Sequence, residues 1–385
     1  MKNLIELNKF AEISAGGGAP QESEAFNENN EGNPFVRAGS LIKLLSGESE
    51  TSLEHLTEDV ARKYRLRLFP KDTILFAKSG MSATKGYIYQ LKQLSYVVNH
   101  LAAIVPKKEL LFAPFLKYWF QQNPPSRLIK DEAYPSIRLS EISEIKIPKI
   151  SVDEQKRIAA VLDKADEVCV KRRAALGKLD YLLQSVFLDM FGDPVSNPKG
   201  WEVKNLGELL NFRTGKLDSN AAVSSGEYPF FTCSKETFQI DKYAFDCEAL
   251  LLAGNNATAD YSVKYYNGKF NAYQRTYVIT LLNSTHSYLF MRYTLERKLG
   301  EMKKFSKGTN TKYLTLAILQ NLKMPVPSSE TQKEFERFHI EIDELKNKEL
   351  KTQIQFNNLF QSLQQRAFTG ELFGAELSET MENIN

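Results

Sequence analysis

The sequence predicts an α+β protein made of two mixed α/β globular units. Each unit is followed by a long helix, and the two helices pair as an antiparallel coiled coil with pseudo-two-fold symmetry. Three observations predict it. Residues 151–193 and 328–368 each carry apolar side chains at three- and four-residue steps over about 40 positions, the period of one helical stripe. Sliding the chain by 177 positions lays Tyr134–Phe191 on Thr311–Phe368 without a gap. The stretches outside the helices read as short strands and turns whose framework also repeats.

The first rod opens at Ser151, with Glu154 three residues on, a capping box, and stops at Gly192 and Pro194. At about 1.5 Å per residue such a helix is a rod of roughly 60 Å, longer than one globular unit needs. Its stripe includes Ile158, Val161, Ala165, Val168, Leu179 and Leu183. The second rod supplies a partner stripe at Phe335, Phe338, Ile342, Leu345 and Phe356. Identities across the repeat include Lys146/Lys323, Pro148/Pro325, Ser151/Ser328, Gln155/Gln332 and Phe191/Phe368. Chance likeness between two amphipathic helices does not predict a shared Lys-x-Pro-x-x-Ser approach in the same register. Because each rod follows its own unit, pseudo-two-fold pairing makes the rods antiparallel.

In chain order, 1–150 is a first globular domain and 151–193 its helical spacer. A second such domain covers 194–327, a second helical region 328–372, and 373–385 is an acidic tail. Gly16-Gly17-Gly18 suggests a hairpin or loop, since no GxxxxGK[ST] is present to make it a phosphate cradle. Residues 34–45 read as a strand or strand-turn, 71–86 as an alternating strand ending in a loop, 94–106 as a buried strand, and 110–121 as a short helix. Asn123-Pro124-Pro125-Ser126 breaks that helix. It resembles the Asn-Pro-Pro-aromatic of DNA amino-methyltransferases, but serine holds the aromatic's place and no glycine-rich cofactor strand precedes it. The framework repeat extends outward: 7–16 lies over 206–215, 33–39 over 228–234, 72–82 over 248–258, and 97–105 over 269–279 less tightly.

At 385 residues with 42% apolar and 25% charged content, the chain has ordinary globular composition. No apolar run approaches the about 18 residues of a membrane helix, and the first ten residues are not a secretory signal. Cys169, Cys233 and Cys247 form no CxxC pair, which fits reduced thiols in a cytoplasmic protein. The net charge of +3 hides a segregation: +3 over 1–150 and +6 over 199–327, against −1 over 151–198 and −5 over 328–385. Globular units that hold the positive charge suit a polyanion such as nucleic acid. There is no Walker A motif, no complete adenine-methylase motif and no nuclease core, and His55, His100, His286 and His339 are scattered. Duplicated basic units without chemistry describe a reader, not a catalyst.

Candidate DNA-binding residues follow from side-chain chemistry. In the second unit they are Asn255, Asn256 and Thr258 in a loop after a strand, and the run Tyr273-Gln274-Arg275. Asn and Gln can contact adenine bidentately and Arg guanine; the alternative is that Gln274 and Arg275 only stabilise a sheet edge. Lys303, Lys304, Lys307 and Lys312, grouped around Gly308 and Asn310, suit phosphate contact, with a solvated surface loop as the alternative. Equivalent positions in the first unit are Lys78, Ser79 and Ser82, then Asn99 and His100, with Lys130, Tyr134 and Arg138 before its rod.

The stretches PKISVDEQKRIAAVLDKADEV, LLQSVFLDMFGDPVSNPKGW, MPVPSSETQKEF and QQRAFTGEL resemble the DNA-specificity subunits of type I restriction–modification systems over nearly the full length. The resemblance implies two target-recognition domains, each reading one half of a split double-stranded DNA sequence. It also implies two modification subunits carrying adenine methyltransferase and S-adenosylmethionine, and two restriction subunits using ATP and Mg, with no cofactor or metal on this chain. Two other readings stay open: a recognition subunit serving a methyltransferase alone, and a coiled-coil adaptor whose globular ends bind protein. Genomic neighbours separate the first, and salt-insensitive binding without DNA would mark the second.

Overall fold

The computed structural model describes residues 4–26, 31–256, 259–308 and 311–372. Thr258 and Asn310 lie outside the described residues. The chain divides into two compact units: one holds the residues up to Arg172 and those from Thr352 onward, the other Arg173–Lys351. The division falls inside both long helices, so each unit contains half of each.

Unit 1 begins with β1 (Leu4–Glu6), β2 (Ala11–Ala15) and β3 (Asn33–Val36), then α1 (Ser40–Leu45), β4 (His55–Leu56) and α2 (Glu58–Lys63). It continues through β5 (Leu68–Phe69), β6 (Ile74–Ala77), β7 (Tyr89–Gln90), β8 (Ser95–Val97) and β9 (Leu101–Pro106). After α3 (Ala113–Gln122) and α4 (Leu139–Ser143), β10 (Lys146–Pro148) leads into the long α5 (Val152–Phe191). Two four-stranded sheets form, in the orders β2-β9-β6-β7 and β4-β3-β8-β5. The first packs on α3 and the rods through Phe76, Ile104, Phe115 and Phe120, and the second buries Phe35, Phe69 and Tyr96.

Two expectations are corrected here. Residues 34–45 are a strand and then a helix, because Leu41 and Leu44 at helical spacing bury on one side while Ile42 stays exposed. Residues 94–106 are two strands, interrupted where Asn99 and His100 turn the chain. The glycine run is no loose hairpin. Gly17 bridges Val98, and a Cβ on Gly16 would stand 2.0 Å from the carbonyl oxygen of Val97, so only glycine fits.

Unit 2 repeats the plan. It has β11 (Val203–Asn205), α6 (Leu206–Leu209), β12 (Leu210–Thr214), β13 (Tyr228–Phe231), β14 (Phe238–Ile240), β15 (Phe245–Ala253) and β16 (Asn255–Asn256). Then come β17 (Val263–Ala272), β18 (Thr276–Leu281), α7 (Tyr288–Phe305), β19 (Lys312–Tyr313), α8 (Leu316–Gln320), β20 (Lys323–Pro325) and the long α9 (Ser329–Thr369). Its main sheet runs β12-β18-β15-β17-β13-β14. The parallel pair β3–β8 recurs as β13–β17, and the antiparallel pair β1–β10 as β11–β20. Gly215 repeats the role of Gly16, its Cβ position 1.7 Å from the carbonyl oxygen of Ala272.

The rods start and stop where the sequence places them. Ser151 Oγ accepts from the Glu154 amide at 3.2 Å and Ser328 Oγ from that of Thr331 at 3.2 Å. Gly192 and Gly370 end the helices with φ of 75° and 92°. Polarity is antiparallel within each unit. In unit 2, Asp180 pairs with Lys346 at 2.6 Å, while Phe187 and Phe191 meet Phe335 at 5.4 and 5.5 Å. In unit 1, the Arg172 guanidinium lies 4.5 Å over Phe356, and Ile158 and Leu162 share a core with Leu363 and Ala367.

The buried seam of α9 steps through 332, 335, 339, 342, 346, 349, 353, 356, 360, 363 and 367, and α5 keeps the same alternation of three and four from 155 to 183, after which Phe187 and Phe191 follow by steps of four. That is a heptad seam. It overturns two expected core residues. Val168 and Leu345 lie one position off the seam and are 37% and 50% exposed, while Cys169 and Lys346 hold the inward places. Ile158, Leu183, Phe335 and Ile342 are buried, with Ala165, Leu179 and Phe356 half-buried along it, and Val161 and Phe338 half-buried one position beside it.

One anchor ties rod to domain in both units. Gln155 Oε1 accepts from the Phe112 amide at the start of α3 (2.8 Å), and its Nε2 donates to the carbonyls of Leu110 (2.9 Å) and Ile150 (3.1 Å). Gln332 Oε1 accepts from the Ser287 amide at the start of α7 (3.0 Å), and its Nε2 donates to the carbonyl of Pro327 (2.9 Å). Both glutamines are almost fully buried, so these bonds satisfy helix-end groups that water cannot reach.

Candidate nucleic-acid interface

Each unit has a place where three segments converge: the end of a strand, a tight turn between two strands, and a strap that leads to a short helix. In unit 1 the Lys78 amide donates to His100 O (2.9 Å), the Ile137 amide to Lys78 O (2.8 Å), and Ser79 bridges Ser136. In unit 2 the Gly254 amide donates to Arg275 O (2.8 Å), the Leu314 amide to Gly254 O (2.8 Å), and Asn255 pairs with Tyr313. The turn is held alike. The Asn99 amide donates to Gly17 O (2.8 Å) in one, and the Gln274 amide to Leu217 O (2.9 Å) in the other. The frame is one backbone arrangement used twice.

What the frame displays differs. In unit 2, Asn255, Gln274 and Arg275 line a cleft of about 230 Å³ together with Thr214, Tyr277 and Tyr313. Gln274 and Arg275 are exposed, and Tyr313 is 43% exposed. The Tyr277 hydroxyl donates to Leu314 O at 2.9 Å, which fixes the strap, and burial raises its pKa. The Gln274 amide reaches Asp218 at 3.4 Å. The Asn256 amide closes its own loop on Asp260 (3.2 and 3.3 Å) and does not face outward alone. Tyr273 is half-buried and serves the frame, bridging Leu217 through its backbone.

In unit 1 the corresponding side chains are smaller. Ser79 Oγ and His100 Nδ1 are 2.8 Å apart, and Asn99 stands exposed beside them. Lys78 is half-buried on the frame, and Ser82 is half-buried in the 3-10 segment Met81–Lys85.

The lysines lie near the straps. Lys303 and Lys304 are exposed in the last turn of α7. Lys307 and Tyr313 exchange backbone bonds of 3.0 and 2.9 Å, which pins Lys307 to the strap, and Gly308 follows it at φ 99°. Lys312 is half-buried on β19, beside Tyr313. In unit 1, Lys130 pairs with Glu141 at 2.6 Å, Tyr134 is 81% exposed, and the Arg138 amide donates to Glu141 to start α4. Two other cations of unit 2 are already paired. Lys235 pairs with Asp260 at 2.6 Å and lowers its pKa, while Lys264 donates to Ser234 O and Glu236 O, with burial lowering its own pKa.

Ser136 and Tyr313 were not among the sequence candidates. They sit 177 positions apart inside the gapless repeat, and that offset was the available signal. Among the described residues no group of three or more His, Cys, Asp or Glu could hold a metal, and no helix is long and apolar enough to cross a membrane.

The family model of the type I restriction modification DNA specificity domain matches this chain twice, over 2–175 and 198–375. The type I restriction enzyme EcoDI specificity subunit of Escherichia coli is 41% identical over 136 residues, 35% of this chain and 29% of that protein. The MjaIX specificity subunit of Methanocaldococcus jannaschii is 26% identical over 347 residues, 78% and 77% of the two chains. The chain therefore spans under a third of the first relative and about three quarters of the second. Among solved structures, the S subunit of a type I system from M. genitalium superposes with a TM-score of 0.59 at 16% identity, covering 96% of both chains. A chain from work on complex assembly and conformational transition of the type I R-M system gives 0.56 at 16% identity, covering 96% and 98%. At that identity the likeness is one of fold.

Proposed function

This chain belongs to the type I restriction–modification DNA specificity family, whose domain it carries twice, and we propose that it reads a split duplex-DNA target, one half-site with each unit. The observation that carries this reading is the doubled frame: identical backbone bonds in both units, with different side chains displayed on each. A scaffold that only bound protein would not need one frame furnished in two different ways on stretches that hold the chain's positive charge. The chain recognises and does not catalyse. Specificity subunits of type I systems work with methyltransferase and restriction subunits. We place two of each on this chain, with S-adenosylmethionine on the former, ATP and Mg on the latter, and the assembly in the cytoplasm. In this reading Asn255 and Arg275, like Ser79, Asn99 and His100, face bases, and Lys303, Lys304, Lys307 and Lys130 face phosphates. Footprinting the assembled complex on its target duplex tests it. Two protected blocks separated by accessible base pairs are expected, and a single unbroken block would contradict it.

A further inference from the structure

Three frame positions repeat between the units while their side chains do not: the strand end (Ser79 and Asn255), the turn (His100 and Arg275) and the strap (Ser136 and Tyr313). The turn position differs most in chemistry. His100 is engaged, its Nδ1 2.8 Å from Ser79 Oγ. Arg275 is exposed at the rim of the unit 2 cleft, and its guanidinium has no hydrogen bond or ion pair among the described residues. Its backbone, by contrast, is fixed: Arg275 O accepts from the Gly254 amide and from the Cys233 thiol at 3.4 Å. An arginine with a fixed backbone and no side-chain partner among the described residues suits a planar, two-acceptor ligand. Beside it, Asn255 Oδ1 is shielded from solvent without a hydrogen-bond partner among the described residues, an acceptor open to a donor at the cleft wall.

We propose that these three positions set the base preference of each half-site, and that Arg275 makes unit 2 require a guanine, read through its O6 and N7. Guanine is the base that offers two adjacent acceptors on its major-groove edge. Gln274 is outside the set, since its amide turns back to Asp218. Unit 1, with a hydroxyl–imidazole pair at the same place, has a different requirement. The inference rests on the proposed split-target reading.

The test is methylation sequencing of cells that express the full chain with its modification subunits, comparing wild type with Arg275→Ala and with the triple exchange N255S/R275H/Y313S. Arg275→Ala removes an exposed side chain that has no partner among the described residues, so the chain folds. One guanine in one half-site should become degenerate, with discrimination there falling on the order of 10- to 100-fold, while the other half-site and the gap stay fixed. The triple exchange should alter that same half-site alone. Purified Arg275→Ala complex, titrated against DNA substituted at that base, gives the same readout without cells. If Arg275→Ala keeps the wild-type motif and only weakens binding to all sequences, Arg275 contacts phosphate and the inference fails while the split-target reading stands. If the wild type itself marks one unbroken motif, the split-target reading fails first.

Discussion

At matching places on the two rods, unit 1 has Leu162 and unit 2 has His339, both buried. Seven positions earlier the residues are Gln155 and Gln332, identical and bonded alike. Packing positions drift. Ile158 corresponds to Phe335 in the repeat, and unit 2 gathers Phe187, Phe191, Phe290, Tyr293 and Phe335 where unit 1 relies on Phe115, Trp119 and Phe368. Cleft positions change kind altogether. The difference teaches that a duplicated fold keeps residues that satisfy buried backbone groups, repacks those that only fill space, and varies those displayed on the frame.

The largest effect should come from the aromatic cluster. Phe335→Ala should cost about 3–5 kcal/mol in denaturant unfolding, and Ile158→Val in unit 1 about 0.5–1.5 kcal/mol. Equal small losses would show that the cluster does not hold unit 2 together. Next, Gln155→Leu and Gln332→Leu should each cost about 1–3 kcal/mol, because buried amides and carbonyls lose partners. A neutral result in one unit would break the equivalence of the anchors.

His339 sharpens the contrast in pH. Burial keeps its pKa below the ordinary 6.5, outweighing the Asp343 carboxylate 3.2 Å away, while Arg292 and Lys346 push the same way as burial. The unfolded chain therefore takes up the proton first, and stability falls as pH drops below about 6.5, levelling off beneath the folded pKa. His339→Leu, which copies unit 1, should flatten that part of the thermal-melting profile. An unchanged slope would place the sensitivity elsewhere. The smallest effect should be on salt dependence. Lys303→Ala with Lys307→Ala should lower the slope of log affinity against log salt by about 0.9 for each phosphate no longer neutralised, equally for all sequences. A change confined to one sequence would assign these lysines to bases.

Much of the fold was legible because it is local. Ser151 and Gly192 mark the first rod by their own chemistry, and the repeat exposes the second. The helix Ser40–Leu45 was not legible, since six residues are too few to separate helical from strand spacing. Val168 and Leu345 misled because apolar character was read as inwardness. The seam gives its middle to polar residues such as Lys346 and Gln353, which no hydrophobic pattern reveals. The cleft was half legible. Asn255, Gln274 and Arg275 follow from side-chain chemistry, but Tyr313 and Ser136 join them only through a pairing that spans about 57 residues in each unit.

The most direct measurement is single-base methylation sequencing of the wild-type assembly. Two short fixed blocks separated by a constant run of unspecified bases are expected, one block per unit. One contiguous recognition sequence would contradict the account.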